Sequence, residues 1–169
     1  MKKYAESSVS LNPVLAERWS PRAFDVQHEI STDDLTGILE AARWSPSANN
    51  LQPWRFLVGK RNDENFKAFS STLSGFNTEW APNASAMILV CAYGNPVTKD
   101  EIFDSGLAVG SITFQIYSMG LFAHQMAGFS KNKIKELDID DDLKNNILKQ
   151  YTDYSHIIRD KKIFNTRRI

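Results

Sequence analysis

The sequence predicts a single α/β or α+β domain over residues 1–169. Segments with strand patterns alternate with segments whose apolar residues recur at helical spacing, and turn-forming residues separate them. A chain of this length buries most of its apolar surface in one core. No internal repeat, low-complexity tract or linker divides the chain.

The first third of the chain contains two predicted helices and a strand. Residues 10–18 are expected to form a short helix with Pro13 in its first turn. A second helix begins near Ser31 and Asp34, which have the spacing of a capping box, and continues with apolar residues at helical spacing. Residues 55–58 then read as a strand.

The middle of the chain is the most apolar part. Residues 87–93 read as a buried strand that ends at a Gly-Asn-Pro turn. The next helix is apolar on nearly every face between residues 102 and 119, so it is predicted to be central and buried. Gly120 ends it, and residues 121–127 read as another strand. Further helical patterns occupy residues 62–69, 134–137 and 143–148.

Charge and cysteine content exclude several kinds of site. Twenty basic and twenty acidic residues cancel, which argues against binding nucleic acid or an anionic membrane through a net basic field. The single cysteine, Cys91, permits no intramolecular disulfide and is expected to be an inert core thiol. The start of the chain lacks the apolar region of a signal peptide, and no apolar run approaches the ~20 residues that span a bilayer. We therefore expect a cytoplasmic protein.

The first polar cluster comprises Arg18, Ser20 and Arg22, just after the first predicted helix. Two guanidinium groups and a hydroxyl are suited to a phosphate, since forked cationic donors supply charge-assisted hydrogen bonds. Arginines near a helix end are also typical of solvated surface. On the residues alone, both interpretations stay open.

The second cluster is the segment 44–54, WSPSANNLQPW, between a helix and a strand. Its serine, asparagine and glutamine side chains can hydrogen-bond the edge of a planar heterocycle, while its prolines stiffen the backbone. The alternative is an ordinary capped turn that Trp44 and Trp54 anchor.

The third cluster is the segment 120–129, GLFAHQMAGF. His124 has no serine, cysteine or carboxylate pattern beside it, so a hydrogen-bonded structural role is favoured over a catalytic one. Ala127 and Gly128 are small enough to let backbone amides approach a ligand.

These motifs resemble those of the nitroreductase family. Arg18-x-Ser20-x-Arg22-x-Phe24 is similar to its N-terminal FMN signature, and SPSANNLQPW at 45–54 to its second signature. Residues 104–129 resemble its central helix and following strand. Two further likenesses are Asn77, similar to a flavin-facing asparagine, and Arg167 or Arg168, similar to a terminal basic residue that reaches the phosphate.

The resemblance implies an α+β, three-layer nitroreductase-like fold with a mostly antiparallel central sheet flanked by helices. Family members have another apolar strand after the helix that matches residues 131–137. Here an acidic stretch at 138–142 leads directly into a helical pattern, so we expect the sheet to lack one C-terminal strand. Only about ten residues connect the strand at 87–93 to the central helix, where family members insert helices, so an open substrate pocket is expected.

The resemblance also implies a homodimer with FMN at the subunit interface. Arg18, Ser20 and one of the two late arginines would bind the phosphate. Arg22 and Asn77 would lie near the ribityl chain and the pyrimidine edge, and the second signature would come from the partner subunit. The implied cofactor contacts are Arg18, Trp19, Ser20, Arg22, Ser47, Asn49, Gln52, Asn77, Ala127, Gly128, Arg167 and Arg168, with no catalytic side chain and no metal.

The implied activity is that of an FMN-dependent oxidoreductase that uses NADH or NADPH to reduce nitroaromatics, quinones or similar electron-poor acceptors. The mechanism would be ping-pong, with hydride passing from the nicotinamide to the flavin before the acceptor binds. A flavin-binding module without turnover and a relative with another flavin chemistry, such as reductive dehalogenation, are the alternatives. With no GxGxxG motif to interpret, the sequence does not choose between NADH and NADPH.

Overall fold

Six helices and a four-stranded sheet make up the described part of the chain. The computed structural model describes residues 4–94 and 97–137, together with the strand backbone at 161–165. The helices are α1 (Pro13–Glu17), α2 (Thr32–Arg43), α3 (Glu64–Ser71), α4 (Asn77–Trp80), α5 (Lys99–Ser118) and α6 (Lys131–Glu136). The strands are β1 (Trp54–Lys60), β2 (Ala86–Ala92), β3 (Phe122–Met126) and β4 (Lys161–Asn165).

Polar caps fix where the longer helices begin. The Ser31 side chain accepts from the Asp34 amide at the start of α2, and Asp63 caps α3 in the same way. At α5, Thr98 and Glu101 form a reciprocal capping box. Helices α1 and α2 therefore begin close to the positions that the sequence predicts.

The sheet has the strand order β1-β2-β4-β3, and all neighbouring strands are antiparallel. The expectation that the sheet lacks a C-terminal strand is wrong, because β4 lies between β2 and β3. Its sequence, KKIFN, has only two apolar residues side by side, so the alternation that identifies a strand is missing. Main-chain pairing on both edges makes this segment a strand, and sequence periodicity does not report such pairing. The helical pattern at 143–148 lies outside the described residues.

Two apolar layers cover the two faces of the sheet, and alternate residues of β2 serve both. Met87, Leu89 and Cys91 pack in one layer with side chains of α3 and α6. Ile88 and Val90 pack in the other layer with α2 and α5. The predicted three-layer α+β fold is confirmed.

Burial also raises the pKa of the Cys91 thiol to about 12, so the thiol is inert as predicted.

One face of α5 is not covered by the residues that the structure describes. Phe103 is 67% exposed and Phe114 is 45% exposed, so the prediction that this helix is buried holds for only part of its surface. Apolar residues on every side indicate a helix that needs covering, and the described residues supply only part of that cover. Only residues 93–98 separate β2 from α5, which confirms the short connection. None of the described helices combines the length and apolar character needed to cross a lipid bilayer.

Candidate functional site

Residues 18–22 follow α1 outside the described helices and strands, with a bend at Arg22. Arg18, Ser20 and Arg22 are exposed, whereas Trp19 is half-buried and Pro21 is buried. The Arg18 guanidinium donates to the Ser20 hydroxyl at 3.4 Å. Arg18 and Ser20 are therefore in contact, and all three polar side chains are accessible from solvent.

Side chains of α5 and β3 hold the inner side of this segment. The Tyr117 hydroxyl donates to the Trp19 carbonyl. The Nδ1 atom of His124 lies 2.9 Å from the Pro21 carbonyl, which can only accept, so this nitrogen carries a hydrogen. The Trp19 ring meets the Phe122 ring edge-on, with centroids 6.3 Å apart. His124 is thus the hydrogen-bonded structural residue that the sequence favours.

Both of these donors keep their hydrogens near neutral pH. Burial raises the pKa of the Tyr117 hydroxyl, although the nearby Arg18 guanidinium opposes that shift. Burial also lowers the pKa of His124, and the positive charge of Arg22 acts in the same direction, although the hydrogen bond to Pro21 opposes it. The neutral imidazole is therefore favoured.

Asn77 and Gly128 meet on the same side of the molecule as Arg22. The Asn77 amide nitrogen donates to the Gly128 carbonyl at 3.2 Å, and the Ser74 backbone amide donates to the same carbonyl at 3.0 Å. A Cβ atom on Gly128 would lie 2.1 Å from the Asn77 amide nitrogen, so any larger residue there requires the Asn77 side chain to shift. The Arg22 guanidinium sits 5.7 Å from the centre of the Phe76 ring, next to Asn77 in the chain.

The second predicted cluster docks on the first half of α5. The Ala48 amide donates to the buried Asp104 carboxylate at 2.9 Å, and the Ser45 hydroxyl donates to the Ser111 hydroxyl at 2.6 Å. The Ser47 hydroxyl accepts from the amide of Gln52 at 3.0 Å. Helix side chains and the loop's own hydroxyls therefore fix its path.

The backbone of this loop is strained. Asn49, Asn50 and Gln52 have φ values of 50°, 56° and 49°, in the left-handed region that non-glycine residues adopt at a cost. Three such residues close together persist only where surrounding contacts over-determine the conformation.

The two tryptophans that flank the loop differ. Trp54 is buried, but Trp44 is 75% exposed. The Trp44 indole nitrogen donates to Glu40, and the Arg43 guanidinium lies 4.8 Å from the centre of the ring. The alternative in which both tryptophans anchor a simple turn is therefore wrong for Trp44.

The two clusters contact α5 at different positions. The loop contacts Asp104 and Ser111, whereas the segment that carries Arg18 contacts Tyr117 in the last turn. The structure thus brings Arg18, Ser20, Arg22, Asn77 and Gly128 into one region, with Ala127 exposed beside it. It leaves Ser47, Asn49 and Gln52 in another region of the same chain.

Four residues remain to be placed: two that the sequence predicts as cofactor contacts, and two that it does not. Arg167 and Arg168 lie outside the described residues. Tyr117 and Asp104 are supporting residues that the sequence reasoning missed. Each is a polar group in an otherwise apolar helix, and the rule that buried polar groups need partners could have singled them out.

Comparisons with known proteins agree with this architecture. Residues 15–90 match the sequence model of the nitroreductase family. An oxygen-insensitive NADPH nitroreductase of Helicobacter pylori is 40% identical over 79 residues, which cover 47% of this chain and 37% of that protein. The match therefore spans less than half the length of that relative.

Solved structures resemble nearly the whole chain. The structure of an oxidoreductase containing FMN has a TM-score of 0.76 and 29% identity, over 97% of this chain and 80% of that one. A nitroreductase family protein from Clostridium novyi has a TM-score of 0.69 and 20% identity, over 92% and 83%. Residues 15–90 in sequence, and the fold over nearly the whole chain, are thus similar to those of nitroreductase family proteins.

Proposed function

We propose that this protein is an FMN-dependent oxidoreductase that takes electrons from NADH or NADPH and passes them to nitroaromatics, quinones or similar electron-poor acceptors in a ping-pong sequence. The match of residues 15–90 to the family model and the names of the relatives support this proposal. The observation that carries it is the exposure of Arg18, Ser20 and Arg22 in the region where Asn77 and Gly128 meet.

The residues present fit a phosphorylated flavin. Arg18 and Ser20 offer forked cationic donors and a hydroxyl to a phosphate. Arg22 and Asn77 offer a positive charge and an amide to the polar edge of a planar ring. Gly128 lacks a Cβ where the fold has no room for one. FMN would supply the hydride-transfer chemistry, and the protein would bind and orient it.

The remaining predicted contacts have different kinds of support. Ala127 would offer its backbone, and so would Trp19, because the Trp19 ring packs against Phe122. Arg167 and Arg168 lie outside the described residues and stay predictions.

We also propose a homodimer in which the uncovered face of α5 meets its copy. Gly106 and Gly110 are four residues apart on α5, and a Cβ on either would meet no atom within 4 Å. Together with Phe103 and Phe114 they leave a smooth apolar surface that suits close helix packing. Two-fold pairing would offer Ser47, Asn49 and Gln52 of one subunit to the phosphate-binding region of the other.

The test is an absorbance spectrum of the purified protein, recorded before and after anaerobic addition of NADH or NADPH. A flavin band that bleaches supports the reductase proposal. A band that persists with both donors favours a flavin-binding module without turnover. Protein that neither contains nor takes up FMN contradicts the cofactor assignment. Steady-state rates with nitroaromatics and quinones would then identify the acceptor class.

The short connection at 93–98 supports an open, poorly selective acceptor pocket. A cytoplasmic location without nucleic-acid or membrane partners rests on composition and charge balance alone.

A further inference from the structure

We propose that Tyr117 and His124 are positioning residues of the phosphate site: they hold the carbonyls of Trp19 and Pro21 so that Arg18, Ser20 and Arg22 project together. This inference rests on the proposed function, because it takes the phosphate of FMN as the ligand. Neither residue is assigned a contact with the cofactor itself.

The argument begins with the conformation of residues 18–24. Among the described residues this segment pairs with no strand of the sheet, and it bends at Arg22, so side-chain contacts from the core help to set its orientation. The exposed side chains of this segment face the same way only while its backbone cannot rotate about its own axis. A segment free to turn would lose conformational freedom each time a phosphate bound, and affinity would fall accordingly.

Two side-chain donors fix the rotation. The Tyr117 hydroxyl bonds the carbonyl of Trp19, and the His124 imidazole bonds the carbonyl of Pro21. These carbonyls flank Ser20 on both sides in the chain. Holding both leaves the serine hydroxyl and its two neighbouring arginines on the opposite side of the segment.

The two donors are themselves held firmly. The His124 ring packs on the Trp80 ring with centroids 4.4 Å apart. The Tyr117 ring meets the Phe122 ring edge-on at 5.3 Å. Tyr117 comes from the last turn of α5 and His124 from the middle of β3, so two elements of the folded core set the geometry of the segment.

The test compares FMN with riboflavin, which has the same ring and ribityl chain but no phosphate. Tyr117→Phe removes one donor and keeps the ring, and His124→Leu removes the other donor. We expect each change to raise the FMN dissociation constant by about fivefold to tenfold, the effect of one neutral hydrogen bond. The riboflavin dissociation constant should rise less, because Arg18 and Ser20 serve the phosphate and only Arg22 serves the ring.

Two further variants sharpen the test. His124→Asn keeps an N–H donor near the position of Nδ1, so it should recover most of the FMN affinity. Tyr93→Phe removes a phenolic hydroxyl beyond the end of β2, where the ring packs with Arg55, and should change neither dissociation constant.

Unchanged FMN affinity in both Tyr117→Phe and His124→Leu would overturn the inference. Equal weakening of FMN and riboflavin would also overturn it, because the two residues would then support the fold in general. If His124→Leu does not fold, Tyr117→Phe and His124→Asn still decide the question. A wild-type protein that binds FMN no better than riboflavin would instead refute the phosphate assignment, and the inference would fall with it.

Discussion

The segment 18–24 and the loop 44–53 both present polar residues next to α5, but the fold holds them in opposite ways. The first is extended, and core side chains bond its carbonyls, so its own polar side chains stay free to project. The second is bent through left-handed residues, and Asp104 bonds one of its amides. Its polar side chains partly satisfy one another, as Gln52 and Asn50 do at 3.0 Å.

This difference indicates different tasks. A segment with exposed cationic side chains suits a charged ligand that arrives from solvent. A strained, internally bonded loop suits a fixed surface that a partner or a ring system meets. The proposed homodimer would let both regions serve one site, with Arg18 from one subunit and Ser47 from the other.

The largest effect is expected from closing the uncovered face of α5. Gly106→Leu should cost the dimer about 2–6 kcal/mol, because overpacking costs roughly 1–3 kcal/mol and a two-fold interface contains the change twice. The isolated subunit should tolerate the change, since the position is open. Sedimentation velocity measures the dimer, and FMN retention should fall with it.

The matched control is Gly37→Ala in α2, whose new Cβ would make only ordinary contact with Gln115. That variant should remain dimeric. A Gly106→Leu protein that is still a dimer would show that α5 does not form the interface.

The next effect concerns the segment 18–24. Arg18→Ala removes a charge-assisted phosphate contact worth about 1.5–3 kcal/mol, so the FMN dissociation constant should rise about tenfold to 150-fold. Lys67→Ala, which removes an exposed cation on α3, is the control for net charge and should change little. Fluorescence titration with FMN measures both.

Mixed dimers test whether the two regions meet across subunits. In the proposed dimer each FMN site combines Arg18 of one subunit with Ser47 of its partner. A dimer of one Arg18→Ala chain and one Ser47→Ala chain should therefore carry both changes in one site and keep the second site intact. A dimer in which one chain carries both changes should have two impaired sites. The reverse pattern would show that the two regions act within one subunit, and equal binding by the two mixed dimers would show that they act apart.

A smaller effect is expected where Asn77 meets Gly128. Gly128→Ala places a methyl group 2.1 Å from the Asn77 amide nitrogen, so the side chain must move. FMN binding should weaken about tenfold, comparable to the loss of one hydrogen-bonding group. Gly37→Ala again serves as the control. Unchanged affinity in Gly128→Ala would remove Asn77 from the site.

The smallest effect concerns the support of the loop 44–53. Asp104→Asn keeps an acceptor for the Ala48 amide but removes its charge, so the loop should be held less firmly, by about 1 kcal/mol. FMN affinity should fall roughly fivefold. Asp100→Asn, an exposed residue in the first turn of the same helix, should have less effect. The reverse order of effects would contradict the role of Asp104.

The parts of this molecule that sequence could predict are those that local chemistry decides. Arg18, Ser20 and Arg22 lie at a spacing of two, and an extended chain places such residues on one side without help from distant contacts. Helix starts are similarly local, because a cap bonds an amide two or three residues away.

Distant contacts decided what could not be predicted. The bond from Tyr117 to Trp19 joins residues 98 positions apart, and the bond from Ala48 to Asp104 joins residues 56 positions apart. β4 is a strand because it pairs with neighbouring strands on both sides, so its own composition does not identify it as one. The uncovered face of α5 was not predictable either, since an apolar pattern does not distinguish burial within a chain from burial between chains.

The position of β4 also governs when the sheet can be completed during synthesis. A ribosome releases the chain from its N-terminus, so β1, β2 and β3 emerge well before residues 161–165. Until then one edge of β2 and one edge of β3 lack their native neighbour, and open strand edges invite pairing with other chains. Nascent chains of this protein are consequently exposed to aggregation late in translation, and a stop before residue 161 leaves both edges permanently open.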